Sequence, residues 1–455
     1  MGEVKKVLSG RVGWLAFVCC RLWAQAAEQP PVEWIEPATG HRVIRLSREP
    51  GSASLYFHQN AYTAEGDKMI ITAPSGLWAV NLKTQALDLV VPGARNSLSG
   101  SSGIEVGRKT RQVYYTRREG SQISILATHP DTKATREIAK LPFFGTFGGI
   151  NADETLLVGA YSELRADAQG GDADRKATPS DSRAPAELPE PPVRRNALRP
   201  GSGPRSMRLF SVSIKTGEVK TFHPSTNWLN HVQCSPTDPG LVLFCHEGEW
   251  HELDRVWTIH VGADEARLMH RRTMRYEIAG HEFFSHDGQW VWYDLQTPRS
   301  QEFWLAGANI ETGRRIRYPI QRSEWSVHYN ISPDGKMFAG DGGGPDSVAN
   351  RTPLPERRPL RPPGNGQWIY LFRPRTDASE TIEVGGEKVE VRHLEAEKLV
   401  DLSRHNYRLE PNVTFTPDGR WIVFRSNMHG GSQVYAVEVA KAPPSLGPPN
   451  GASKN

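Results

Sequence analysis

The stretch "HYNISPDGKMFAGDG", residues 328–342, carries the signal that decides the fold. Its centre, Ser332-Pro333-Asp334-Gly335, reads as a tight turn: proline presets φ, aspartate bonds nearby backbone, and glycine accepts a positive φ at no steric cost. Apolar Ile331 precedes the turn and an apolar strand follows it, so the unit is a β-hairpin. The unit recurs as "HVQCSPTDPGLVLFC" from His231, "HEFFSHDGQWVWYDL" from His281 and "NVTFTPDGRWIVFRS" from Asn412. Weaker copies are "QNAYTAEGDKMIITA" from Gln59 and "FGGINADETLLVGAY" from Phe147, with a degenerate one in "SSGIEVGRKTRQVYYT". The anchors before the turns are Tyr62, Ile104, Ile150, Cys234, Phe284, Ile331 and Phe415. Most steps between them are 42 to 50 residues, the length of a four-stranded propeller blade. Two steps are 84 residues, and each contains a segment rich in Pro, Gly and charge, about 163–206 and 341–366. These read as insertion loops. The expected fold is all-β: a seven-bladed β-propeller with four-stranded blades over 28–445, followed by a disordered tail at 446–455. "HRVIRLS" around Arg42 is expected to close the ring by joining the last blade.

The bulk numbers agree. Of 455 residues, 38% are hydrophobic, with 42 Gly, 34 Pro and 13 Trp, a balance that favours short strands and turns over long helices. The net charge of +4 suits a small anionic substrate. No basic helix or aromatic-basic module marks a nucleic-acid partner. Residues 1–27 have a basic start, a short apolar stretch interrupted by Arg21, and a small-residue end at Ala24-Gln25-Ala26, and read as a secretory signal peptide. No later run is apolar for the roughly 18 residues of a membrane helix. The expected location is therefore periplasmic or secreted, without membrane attachment after signal removal. Cys234 and Cys245 remain, and a disulfide between these near neighbours is not expected.

In a propeller the first strand of each blade lines the central axis. The residue three places before each anchor should then sit at one funnel mouth. That gathers His231, His281, His328 and Asn412, with Gln59 nearby. A lone imidazole at a strand start is usually structural, but three at equivalent places in consecutive blades are costly unless they bind something. Imidazoles with amide and carboxylate oxygens suit Mn2+ or another divalent cation, and no cysteine set calls for structural zinc. His58 in "LYFHQN" and the loop residues Arg299, Arg425 and His429 are candidate substrate contacts on the funnel face.

Four stretches resemble one family: "SLYFHQNAYTAEGDKMIITA", "HVQCSPTDPGLVLFCHEGEWHELDRVWTI", "AGHEFFSHDGQWVWYDLQTP" and "EPNVTFTPDGRWIVFRSNMHG". They resemble the oligogalacturonate lyases, seven-bladed propellers that degrade pectin oligomers. The resemblance implies Mn2+-dependent β-elimination on uronate oligosaccharides, with His281 matching a metal ligand. At the last blade, Glu410 and Asn412 stand where the family carries metal-binding side chains, and His405 or Tyr407 falls near a further one. His328 is a candidate for a missing nitrogen ligand. The family's histidine base lies in the preceding blade, where His231 and His246 compete; His231 is preferred for its place beside the cluster. Arg208 is the family-like partner for a substrate carboxylate.

The chemistry is consistent on its own terms. Elimination removes the C5 proton, α to the carboxylate, and expels the C4 oxygen. A cation on the carboxylate accommodates the developing charge, and a neutral imidazole removes the proton. The rival reading is a non-catalytic propeller of the TolB type, a periplasmic module for binding protein or glycan. It accounts for the Ser-Pro-Asp-Gly turns but not for the histidines.

Overall fold

A computed structural model describes residues 30–93, 103–163, 206–248, 252–344 and 366–443. The expected signal peptide and tail, and nearly all of both insertions, lie outside the described residues. Contacts separate Met1–Pro31 from Val32–Asn455, and all the sheets belong to the second unit. Among the described residues every regular element is a β-strand, and no helix is long and apolar enough to cross a membrane.

The strands form the antiparallel up-and-down sheets of an all-β propeller. Three sheets are four-stranded and run in chain order, starting from Ile104–Val106, Gly145–Ile150 and Trp228–Cys234. Outer hairpins complete the sheets: Met207–Ser213 pairs with Val219–Ser225, and Phe303–Asn309 with Arg315–Ile320. His41–Arg45 pairs with Gln433–Lys441, so the N-terminal strand does close onto the last sheet.

Uniform four-stranded blades are not what the chain builds. The sheet Lys68–Ala73, Gly76–Asn81 and Leu87–Pro92 has three strands. Its innermost segment makes only isolated bridges, Ala53 with Thr72 and Tyr62 with Met69, because "FHQNAYT" lacks the apolar run that holds a full ladder. The closing sheet has five strands, having gained Glu33–Ile35. An eight-stranded sheet arises where the hairpin Trp368–Val384 and Glu387–Asp401 outgrows its neighbours and pairs in parallel with Arg315–Ile320, Ile316 opposite Glu390.

Apolar runs such as Leu241–Cys245 are buried along their whole length, because each sheet is covered on both faces by its neighbours. Val158 and Leu209 of one sheet pack with Val232 and Phe244 of the next. The turns form as read: Ser332 Oγ donates to Asp334 Oδ1 at 2.7 Å, and Gly335 takes φ 72°. Cys234 and Cys245 are buried free thiols, opposite Val242 and Asn230 rather than each other.

Polar side chains lace the axis by satisfying spare backbone groups of adjacent inner strands. Glu105 accepts from the amides of Asn60 (3.1 Å) and Ile150 (2.8 Å), and Gln233 Nε2 donates to the Glu282 carbonyl at 2.7 Å. Asn330 donates to the Phe57 carbonyl and accepts from the Phe415 amide. Burial drives the Glu105 carboxyl up to about 7, against the lowering effects of Arg108 and the two amides. The folded protein therefore holds this proton after the unfolded chain has lost it, so stability falls as pH rises from about 4.5 to about 7. Denaturant melts of wild type and Glu105→Gln should show the wild type losing roughly 2–3 kcal/mol relative to the variant between pH 5 and 8. A difference that stays constant with pH would mean that Glu105 ionises normally.

Candidate active site at the propeller axis

Two of the inner strands break register where their histidines stand. Trp228–Cys234 shifts between Asn230 and Gln233, and Ile278–Phe284 between Gly280 and Phe283. Each bulge holds its extra residue in the left-handed region, His231 at φ 49° and His281 at φ 52°; Asn412, just before Thr414–Phe415, has φ 56°. Non-glycine residues there cost on the order of 1–3 kcal/mol each, and such strain gathers at functional sites.

The side chains meet at the axis. Ring centroids of His231 and His281 are 6.2 Å apart, those of His281 and His328 4.7 Å, and those of His58 and His231 6.1 Å. Tyr56, which the sequence reading missed, stands edge-on among them at 5.0 Å from His58, 5.6 Å from His231 and 5.3 Å from His328. Burial first, then the neighbouring imidazoles, hold His58 and His281 well below the usual imidazole range. Both are neutral and able to donate a lone pair.

Asp341 organises one side. Its carboxylate accepts from the His328 amide at 2.8 Å, from His328 Nδ1 at 2.7 Å and from the Asn412 amide at 3.1 Å. Nε2 of His328, at the other side of the ring, is fully buried and without a hydrogen-bond partner among the described residues. The nearest carboxylate to that atom is Glu410, with Oε2 at 3.7 Å. Arg425 fixes the Glu410 segment, its Nε donating to the Glu410 carbonyl at 2.7 Å, and the Tyr407 hydroxyl donates to the Asp341 carbonyl at 2.9 Å. Asn412 Oδ1 is occupied by the Phe57 amide at 3.2 Å.

Glu282 organises the other side. It is fully buried, and Oε1 lies 3.3 Å from His231 Nδ1, whose side chain is 12% exposed. Burial works to lower the His231 pKa, but the Glu282 carboxylate outweighs it and the net shift is upward. Cys245 lies alongside, and Arg255 touches its sulfur at 3.7 Å while binding Glu247 through both terminal nitrogens.

The model of the oligogalacturonate lyase family matches residues 203–443, more than half of the chain. The chain belongs to the oligogalacturonate lyase family. Two curated members align over 236 residues: the oligogalacturonide lyase of Pectobacterium atrosepticum at 27% identity and the oligogalacturonate lyase of Dickeya dadantii at 26%. Each alignment covers 51% of this chain and 55% of the relative, so the chain spans about half the length of the curated relatives it matches. Among solved structures, an oligogalacturonate lyase in complex with manganese superposes with TM-score 0.65 at 19% identity, over 90% of this chain and 96% of that one. One from Vibrio parahaemolyticus also gives 0.65, at 20% identity and the same coverage. These two likenesses establish the shared fold.

Against this family background, the structure brings His58, His231, His281, His328, Glu410 and Asn412 together, and Arg425 supports them from behind. Other candidates stand elsewhere. His246 points to the far side of its strand, near His223 and Trp257, where burial drives its pKa down to about 4. Arg208 is paired with Glu163 where the first insertion leaves and rejoins its sheet, and among the described residues it makes no contact with the imidazole cluster. Arg299 follows the strand Trp290–Gln296, its amide bonded to the Tyr276 carbonyl. His429 packs edge-on against Trp34 and bonds the Tyr435 hydroxyl. His405 is saturated by Ser426 and the Leu409 carbonyl.

The left-handed turn at Asn412 can be tested alone. Asn412→Ala leaves the buried Phe57 amide unpaired and keeps the strained φ, whereas Asn412→Gly removes the strain. Chemical denaturation should show alanine costing about 2–4 kcal/mol and glycine about 1 kcal/mol less. Equal losses would mean the backbone is not strained there.

Proposed function

We propose that this protein is a divalent-metal-dependent lyase that cleaves uronate-containing oligosaccharides of the oligogalacturonide class by β-elimination. The observation that carries the reading is the imidazole cluster at the axis, flanked by two buried carboxylates that each stand beside one histidine. We read the ring as seven-bladed, dividing the eight-stranded sheet into Ile278–Ile320 and Tyr329–Asp401, which meet at the short parallel pairing. The signal-like segment ending at Ala26 supports action in the periplasm or outside the cell.

The donor set fits a cation such as Mn2+. His328 Nε2 is a buried nitrogen without a hydrogen-bond partner among the described residues, and Asp341 holds the ring through Nδ1, the usual carboxylate–histidine support of a metal ligand. His281 and Glu410 complete the set, and Asn412 positions the segment through Phe57. A divalent cation held there would neutralise the substrate carboxylate as a Lewis acid.

His231 is the base in this reading. Its Nδ1–H faces Glu282, which leaves the Nε2 lone pair to take the C5 proton. The C5–H electrons form the C4=C5 double bond, and the C4–O pair departs with the leaving sugar's oxygen, which is then protonated. Tyr56, held protonated by burial and by Glu410 and Glu282, stands within the cluster as a hydroxyl donor. His246 faces away and takes no part.

Incubating the protein with Mn2+ and trigalacturonate should give a rising absorbance from the 4,5-unsaturated product. His231→Ala should lower kcat by roughly 10²–10⁴ with bound Mn2+ unchanged, and His246→Ala should stay near wild type. No unsaturated product from any uronide oligomer would overturn the proposal, and loss confined to His246→Ala would transfer the base to that residue.

A further inference from the structure

One part of the axial site is left over by elimination chemistry. Cys245 has no task in it, and Glu282 is in an unusual state. The carboxylate is fully buried, yet neither oxygen receives a hydrogen bond of good geometry among the described residues, and neither does His231 Nδ1. Removing such a group from water without hydrogen bonds is costly, by several kcal/mol in real proteins. The donor atoms of His231, Cys245 and Glu282 all lie within 4.8 Å of one another. The strand pairing makes this arrangement rigid. Cys245 is the cross-strand partner of Asn230, the residue before the His231 bulge, while Glu282 follows the equivalent bulge of the next sheet.

We propose that His231, Cys245 and Glu282 form a second cation site, one that takes a thiophilic divalent ion, Zn2+ above all, and thereby shuts the lyase off. Three features carry it. A nitrogen, a sulfur and an oxygen from three side chains make the incomplete tetrahedral set that zinc accepts, with a fourth position left open. Such an ion, with bonds of about 2.0–2.3 Å, spaces its donors roughly 3.3–3.8 Å apart, so side-chain shifts of about 1 Å close the site. The charges also balance. Binding expels the thiol proton to solvent, and one thiolate with one carboxylate neutralises the ion inside the protein. Burial first, then Glu282, push the Cys245 thiol well up, and Arg255 at 3.7 Å, already paired with Glu247, opposes them only in part, so it is the bound ion that drives the thiol proton off. The thiolate separates this site from the one at His281, His328 and Glu410, whose harder N and O donors suit manganese.

The inhibition follows from tautomer chemistry and rests on the reading of His231 as the base. A metal on Nδ1 obliges the neutral ring to carry its proton on Nε2. The atom that must accept the C5 proton then has no lone pair.

Co2+, a spectroscopic stand-in for zinc, is titrated into the full chain without substrate. Wild type and Cys234→Ser should develop a near-ultraviolet thiolate-to-cobalt charge-transfer band, and Cys245→Ser should not; Cys245→Ala serves if the serine variant fails to fold. With Mn2+ present, the Zn2+ concentration that halves uronide elimination should rise at least tenfold in the Cys245 variant. No band in wild type, or a band that survives loss of Cys245, would overturn the proposal. The band is read on resting protein, so its absence is distinguishable from failure of the lyase reading, which shows only as missing unsaturated product.

Discussion

The axial site depends on a backbone constraint: His231 and His281 within inner strands, and Asn412 at the entry to another, hold left-handed φ angles where the chain would otherwise run straight. In a regular strand, successive side chains alternate between faces, and in a propeller both faces are covered by neighbouring sheets. An extra residue in the strand breaks that alternation and turns a side chain out of the inter-sheet core toward the axis. Neighbouring sheets do this at corresponding places, so their imidazoles come within one ring's length of each other. The strain is tolerated because the surrounding ladders and the polar lacing of Glu105, Gln233 and Asn330 fix the strands on either side.

Electrostatics then divides the cluster. Burial keeps His58 and His281 neutral, and each of the other two imidazoles leans on a carboxylate. Asp341 bonds His328 Nδ1 and two amides, which fixes the orientation of that ring. Glu282 faces His231 at 3.3 Å, which makes the ring more basic. In the proposed mechanism the same residue type thus serves as a ligand on one side of the axis and a proton acceptor on the other. The difference lies in how many donors each carboxylate already satisfies. It also leaves Glu282 and Cys245 open to an ion that a fully bonded carboxylate would refuse.

Much of this was legible in the sequence, because the Ser-Pro-Asp-Gly turns and their anchors impose the hairpin spacing directly. Six anchors lie on the innermost strands of their sheets and Tyr62 lies in an isolated bridge. The supporting carboxylates were not read, though one was within reach. With the turn at 332–335, Tyr329 pairs with Gly340, and the register places His328 across from Asp341. Glu282 was hidden for the opposite reason, since strict alternation sends it away from its neighbour His281, and only the bulge brings both to the site. The failure of Arg208, His246 and His429 to join the cluster has a similar origin, because sequence places them near the right strand ends without revealing their faces. The merged eight-stranded sheet depends on the length of one hairpin, which no periodicity announces.

The most direct measurement is a crystal structure of the protein with Mn2+ and a uronide oligomer, with anomalous scattering recorded at the manganese edge. The account requires a peak bonded to His281 and to Nε2 of His328, with the substrate carboxylate on the ion and C5 within reach of His231 Nε2. A peak elsewhere, or a uronide bound with C5 turned away from His231, would contradict it.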